Sequence, residues 1–248
     1  MFTKKKIDKR KKYYMVLDTE TCPIVKLDDN EVKAKNMLTY DIGYCVIDKK
    51  GNVYKTGSYI VSEIFFGEFY DKMQSAYYSK KVPNYMQDIA NGSRVVKTWE
   101  QISYILKQTI EEYNISIVCA HNATFDFGTL QATKEYLGKK YSLLPYVEWW
   151  DTLKIAKSVL GKMPTYIKFC KDNNFMTKHK KPQPQYKAEV IYKYISKNLD
   201  FIESHTGLED TLIEKEILAY CIKQHKKMDK LLFDKNKIRP DIIIPIGA

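Results

Sequence analysis

Apolar runs set between charged or turn-forming stretches divide this chain into short strands and longer helices. Residues 13–17 are aromatic and aliphatic and predict a buried strand that ends at Asp18. Residues 28–35 are charged and loop-like. A second strand is predicted at 41–48, a turn at 49–52 and a third strand at 53–61, which together form a meander. Residues 99–113 carry Ile102, Ile105, Leu106 and Ile110 at helical spacing, whereas 115–120 form a short apolar run broken only by Ser116, as in a strand covered on both faces. Residues 124–137 read as a helix, 147–150 as a last short strand and 151–160 as a helix ending at Gly161. From 166 onward the pattern is helical, interrupted at 178–185 by a surface loop with Pro182, Pro184 and no apolar residue. A meander followed by alternating helix and strand predicts a mixed sheet with helices on its faces.

Composition narrows the setting. The 248 residues are 44% hydrophobic, enough for one α/β domain with a sizeable core. A formal net charge of +11 points to a polyanionic partner. Cys22, Cys45, Cys119, Cys170 and Cys221 form no closely spaced pair, which argues against a zinc knuckle or a disulfide framework and for reduced thiols. The basic start, 1–12, is followed by too short an apolar run for a signal sequence, and no run reaches membrane-spanning length. The expectation is a cytoplasmic protein with no membrane partner.

The chemistry lies in acids that recur in a fixed order. Asp18-Thr19-Glu20 closes the first predicted strand, and residues two apart on a strand share a face, so both carboxylates can reach one point. Asp126 opens a helix after a buried strand, within His121-Asn122-Ala123-Thr124-Phe125-Asp126. Thr206-Gly207-Leu208-Glu209 reads as a capping box, which leaves His205 in the loop before a helix and Asp210 in its first turn. Acids brought together in this way cannot all ionise without cations. Asp151, in Trp150-Asp151-Thr152-Leu153, is assigned to strand-end or helix-cap duty. His179 reads as solvated, and His225, with Asp229 four residues on, has the wrong gap.

These three segments, in this order, resemble the DEDDh superfamily of 3′–5′ exonucleases: Asp-x-Glu at 18–20, His-Asn-Ala-x-Phe-Asp at 121–126, and His-x4-Asp at 205–210. The resemblance runs from residue 13 to about 225. It implies a ribonuclease H-like fold, α/β with a mixed five-stranded sheet (antiparallel meander, then parallel strands) flanked by helices. The implied layout is a basic segment at 1–12, an exonuclease domain at 13–230 with insertions near 63–98 and 165–200, and a tail at 231–248. The sequence departs from the family after Glu20, where Thr21-Cys22-Pro23 leads into a long charged loop.

By the same resemblance, Asp18, Glu20, Asp126 and Asp210 hold two divalent cations, Mg²⁺ or Mn²⁺, and His205 is the general base. Oxygen donors suit such hard cations. The implied substrate is the 3′ end of single-stranded DNA or RNA, DNA favoured, with nucleoside 5′-monophosphates as product. The alternatives are an exoribonuclease acting on RNA tails or short oligonucleotides, and a binding or accessory subunit without activity. Any proofreading would be in trans with a polymerase or replication partner. Threading a strand calls for basic and aromatic contacts. The candidates are Thr19, Thr21, Asn122, Phe125, Tyr77, Tyr78, Lys80 and Lys81, with the lysines at 178–181 and 4–12 as further grips.

Overall fold

The structure, a computed structural model, describes residues 7–24, 33–66, 73–76 and 79–232. Tyr77, Tyr78, most of the charged loop at 28–35, part of the basic start and most of the tail lie outside the described residues.

Six strands form one sheet: β1 (Tyr13–Pro23), β2 (Met37–Asp48), β3 (Val53–Val61), β4 (Val95–Lys97), β5 (Ile117–Ala120) and β6 (Glu148–Asp151), in the order β4-β3-β2-β1-β5-β6. The meander β1-β2-β3 is antiparallel, while β4 joins β3, and β5 and β6 follow β1, in parallel. The mixed sheet matches the expectation, with β4 added as a sixth strand at one edge, inside a segment read from sequence as an insertion. The first strand also runs further than its apolar stretch. It continues through Asp18 and Glu20 to Pro23, with a register shift between Glu20 and Thr21, so the two acids lie within the strand and not at its end.

Helices cover both faces. On one, Tyr13, Met15 and Leu17 of β1 pack with Tyr85 of α2 (Val82–Asn91), Trp99, Ile102 and Leu106 of α3 (Trp99–Tyr113), and Leu130 of α4 (Ala123–Tyr136). The short α1 (Ser62–Phe65) joins them through Phe65. On the other, Tyr14, Val16 and Cys45 pack with Ile155 and Val159 of α5 (Thr152–Leu160), Cys170 of α6 (Pro164–Asp172), Ile191 of α7 (Ala188–Ser196), and Ile213, Ile217 and Cys221 of α8 (Gly207–Lys223). Alternate residues of β1 thus face opposite helical layers, the period-two geometry of a central strand.

The open edge of β6 is covered by the chain after α8: the Asp151 N–H donates to the Lys230 carbonyl and the Leu232 N–H to that of Trp149. All five cysteines are buried, and none is in a disulfide. No helix among the described residues is long and apolar enough to cross a membrane.

Candidate active site

Asp18 and Glu20 project from the same face of β1, as strand alternation requires. Ligand atoms of Asp18, Glu20 and Asp210 all lie within 4.8 Å of one another. A second such group, Glu203, His205 and Asp210, shares Asp210 with the first. Residues nearly two hundred positions apart therefore converge on one point beside a histidine.

The backbone explains how Asp210 gets there. Asp18 lies opposite Gly43 of β2, and Glu20 opposite Asp41. α8 begins directly against Gly43: a Cβ there would sit 2.0 Å from the Gly207 carbonyl carbon. With no side chain between helix start and strand, the first turn of α8 comes down beside Asp18. The Gly207 N–H donates to Asp41 Oδ2 at 3.1 Å, which satisfies one of the unpaired amides of the helix start.

Asp41 is in turn held by Tyr85, whose hydroxyl donates to Oδ2 at 2.8 Å, and by Arg94, whose Nη1 donates to the same atom at 3.1 Å. Arg94 is 3% exposed and spreads over three carboxylates: Asp41, Asp88 (Nε, 3.0 Å) and Glu209 (Nη2, 2.9 Å). The planar guanidinium suits such a branched arrangement. Burial raises the Asp41 pKa, while Arg94, Tyr85 and the Gly207 N–H oppose the rise.

The expected capping box is not formed. Thr206 is the N-cap of α8, but its hydroxyl donates to Glu209 Oε2 at 2.6 Å and caps no backbone amide. Glu209 is drawn away to Arg94, and Asp41 does the capping at Gly207. His205 does lie in the preceding loop, in a left-handed conformation (φ 53°) that turns the chain into the helix. Lys81 Nζ donates to the His205 carbonyl at 3.3 Å, and Glu203 Oε2 stands 3.8 Å from Nδ1.

Asp126 arrives from the opposite helical layer. β5 ends at Ala120, and left-handed Asn122 (φ 66°) turns the chain into α4, which places Asp126 in the first turn. Its Oδ1 accepts from the Thr19 N–H at 3.1 Å and the Thr19 hydroxyl at 2.9 Å. Asp126 is outside both groups of converging ligand atoms, yet its charge bears on Asp18 and Glu20. Asp151 caps α5 through the Leu153 and Lys154 amides and also accepts the Asn122 N–H, as its expected cap duty requires. His121 is turned inward, with Nε2 donating to the Tyr186 carbonyl at 2.8 Å and Nδ1 beside the Thr152 hydroxyl.

Asp18, Glu20, Asp126 and Asp210 resist ionisation in the bare protein. Burial, then Asp210 and Asp41, pushes Glu20 up to about 9, with Lys81 opposing. Burial pushes Asp126 up to about 7 against its Thr19 hydrogen bonds. Burial and then Glu203 push Asp210 up to about 7, again opposed by Lys81. Asp18 is raised well above the carboxylate range by burial, and next by Glu214. Glu214, which sequence reading passed over, is itself buried and raised by burial, Asp126 and Asp210. Its signal was present in the sequence as an acid one helical turn after Asp210, on the stripe otherwise formed by Ile213, Ile217 and Cys221. His205 moves the other way, lowered by burial and then by Lys81.

The substrate-contact candidates fall into different places. Thr19 is buried and spends its N–H and hydroxyl on Asp126; Thr21 is buried after the register shift. Asn122 is exposed, Phe125 half-buried and Lys80 exposed, while half-buried Lys81 meets the His205 loop. Next to that loop is a cavity of about 400 Å³ lined by Lys81, Asn84, Gln87, Asn91, Ser204 and Thr206, among others.

No family model and no curated protein matches the sequence. Among solved structures, the zinc-ion-bound form of the E. coli ExoI–ssDNA complex aligns with a TM-score of 0.51 at 8% identity, over 87% of this chain and 41% of that chain. Exonuclease I in complex with the inhibitor BCBP aligns at 0.47 and 8% identity, over 85% and 41%. The Mg²⁺- and Mn²⁺-bound form of S. pombe Pop2p aligns at 0.38 and 14% identity, over 85% and 82%. This chain spans well under half the length of the ExoI chain it matches. The likeness to ExoI is one of fold, and the fold is ribonuclease H-like.

Proposed function

We propose that this chain is a metal-dependent 3′–5′ exonuclease of the DEDDh superfamily. It would hydrolyse single-stranded nucleic acid, DNA foremost, from the 3′ end and release nucleoside 5′-monophosphates. The observation that carries the reading is the convergence of Asp18, Glu20 and Asp210 within 4.8 Å, beside His205 on a loop tied to the same helix. On this reading 13–230 is the exonuclease domain, with 63–98 and 165–200 as insertions.

The residues present fit a divalent-cation site. The donors are all carboxylate oxygens, the set preferred by Mg²⁺ and Mn²⁺. Behind them, Glu214 Oε2 is buried with no hydrogen-bond partner, a state that a neighbouring positive charge would relieve. Asp18, Glu20, Asp126 and Asp210 would hold the cations, which when bound supply water activation and charge neutralisation at the scissile phosphate.

The chain's own residues do the rest. Thr19, by binding Oδ1 of Asp126, fixes that carboxylate against β1. His205 is neutral near pH 7, because burial and Lys81 hold it below its ordinary value, and it takes the proton of the attacking water. Glu203 beside Nδ1 favours the tautomer that keeps a proton there, leaving Nε2 to receive the second. Phe125, half-buried at the mouth of α4, offers a face on which a base can stack, and Lys80 and Lys81 offer charge to the backbone phosphates.

The test is digestion of 5′-labelled single-stranded DNA, with matched RNA and a circular single strand in parallel, each with Mg²⁺, with Mn²⁺ and with EDTA. A ladder shortening from the 3′ end, mononucleotide product, an intact circle and no reaction in EDTA are expected. Cleavage of the circle, or shortening from the 5′ end, would overturn the reading. Faster loss of RNA than DNA would reassign the substrate and leave the chemistry.

A further inference from the structure

Glu214 is a carboxylate where the fold calls for an apolar side chain. It lies on the buried stripe of α8 with Ile213, Ile217, Leu218 and Cys221 and is 3% exposed. Neither Lys nor Arg pairs with it among the described residues, and its Oε2 has no hydrogen-bond partner. The charged groups that bear on it are acids: Asp126, Asp210, Glu203 and Asp18. Four residues after Asp210 on a helix, it shares that residue's face one turn deeper. It belongs to neither group of converging ligand atoms. Its carboxylate also accepts the His121 backbone N–H, a bond that a neutral glutamine would make as well and without this repulsion, so neither that bond nor the packing of α8 supplies a reason for the charge.

Building on the cation-site reading, we propose that Glu214 is a positioning residue of that site: its carboxylate accepts hydrogen bonds from water bound to the cations and holds them against Asp18 and Asp210. Its place one turn below Asp210 puts it behind the ligand atoms and not among them. Its orphaned Oε2 supplies the acceptor that such water needs. Carboxylates of this kind, which touch the ligands' surroundings and not the ion, typically change metal affinity about 10–100-fold when removed.

The experiment is calorimetric titration of the metal-free full chain with Mn²⁺ alone, together with thermal melts with and without Mn²⁺. It compares wild type, Glu214→Gln, Glu214→Asp and Asp18→Ala. Glu214→Gln is expected to melt at or above the metal-free wild type, because an acid buried among acids is replaced by a neutral side chain of the same shape, yet to bind Mn²⁺ about tenfold more weakly. Its Mn²⁺-induced rise in melting temperature should shrink accordingly. Glu214→Asp, which keeps the charge on a shorter stem, should fall between the two. It also keeps the test decisive if the glutamine variant fails to fold, since a purely structural Glu214 predicts wild-type Mn²⁺ affinity for any folded variant.

Wild-type affinity in the folded Glu214 variants, with binding lost in Asp18→Ala, would overturn the role of Glu214 and leave the nuclease reading intact. Absence of Mn²⁺ binding by the wild type would overturn both.

Discussion

Gly43 and Gly207 meet backbone to backbone, and a Cβ on Gly43 would lie 2.0 Å from the Gly207 carbonyl carbon. Because Gly43 is also the β-partner of Asp18, this one contact sets the distance between the first and last acids of the site. Gly43→Ala must push α8 off the sheet. Overpacking of this kind costs about 3 kcal/mol, and the displaced Asp210 should lower the proposed nuclease activity at least a hundredfold even at temperatures where the variant is folded. Urea unfolding and a gel assay at low temperature check the two effects separately. Wild-type values for both would mean that α8 is not seated on Gly43.

Arg94 makes a second prediction. It is the one cation among the described residues that meets buried Asp41, and Asp41 in turn holds the first amide of α8. Removing one partner of a buried pair leaves an uncompensated charge, so Arg94→Met should cost about 3–5 kcal/mol. Arg94→Lys should recover only part of this, because an ammonium cannot branch to Asp41, Asp88 and Glu209 together. Glu209→Gln, on the half-exposed arm, should cost under about 1 kcal/mol. Equal losses in Arg94→Met and Glu209→Gln would contradict the ranking. Chemical denaturation of the three variants measures it.

These two anchors also show where sequence reading stops. Strands β1, β2, β3, β5 and β6 and helices α3 to α5 announce themselves as apolar runs between turns or as apolar residues at helical spacing. β4 does not: its three residues are too short for a pattern, and it exists by pairing with β3. The polar stretch at Asp18-Thr19-Glu20 reads as the close of the strand, yet β1 runs on to Pro23, and Thr19 is bound by Asp126, which lies 107 residues away. Motif order brought Asp18, Glu20, His205 and Asp210 into view. The capping pattern at Thr206 misled because Arg94, from another part of the chain, captures Glu209. Glu214 was legible as a charge on an apolar stripe, whereas the Asp41–Arg94 anchor joins residues with no local relation.

The raised acids fix a pH dependence for the metal-free protein. Glu20 lies near 9 and Asp126 and Asp210 near 7 in the fold, against ordinary values of 4.5, 3.8 and 3.8. Between about pH 4 and these values the folded state keeps protons that the unfolded chain has released. Stability therefore falls as pH rises through that window, and below it these groups contribute no slope. Melting temperature without metal should decline from about pH 5 to about pH 9. Mg²⁺ or Mn²⁺ competes with those protons, so its stabilising effect should be larger at about pH 8 than at about pH 6. A rising metal-free profile across this range would show that the acids are not held protonated by their burial.

His205 carries the last prediction, because two roles for it make opposite forecasts. As general base its loss slows proton removal: His205→Ala should lower kcat by about 10²–10⁴-fold and leave Mn²⁺ affinity nearly unchanged. As a ligand grouped with Glu203 and Asp210, its loss would instead weaken Mn²⁺ binding in step with activity. The neighbours supply an independent sign. Burial and the charge of Lys81 both lower the imidazole, so the acid limb of the kcat profile should lie below the ordinary histidine value of 6.5. Lys81→Met removes a positive charge that disfavours the imidazolium, so the histidine rises and the acid limb moves to higher pH, whatever the variant does to substrate affinity. Measuring kcat across pH for wild type and Lys81→Met, beside Mn²⁺ titration of His205→Ala, separates the roles: a limb that stays fixed, together with lost metal affinity, makes His205 a ligand, and a limb that moves with affinity intact makes it the base.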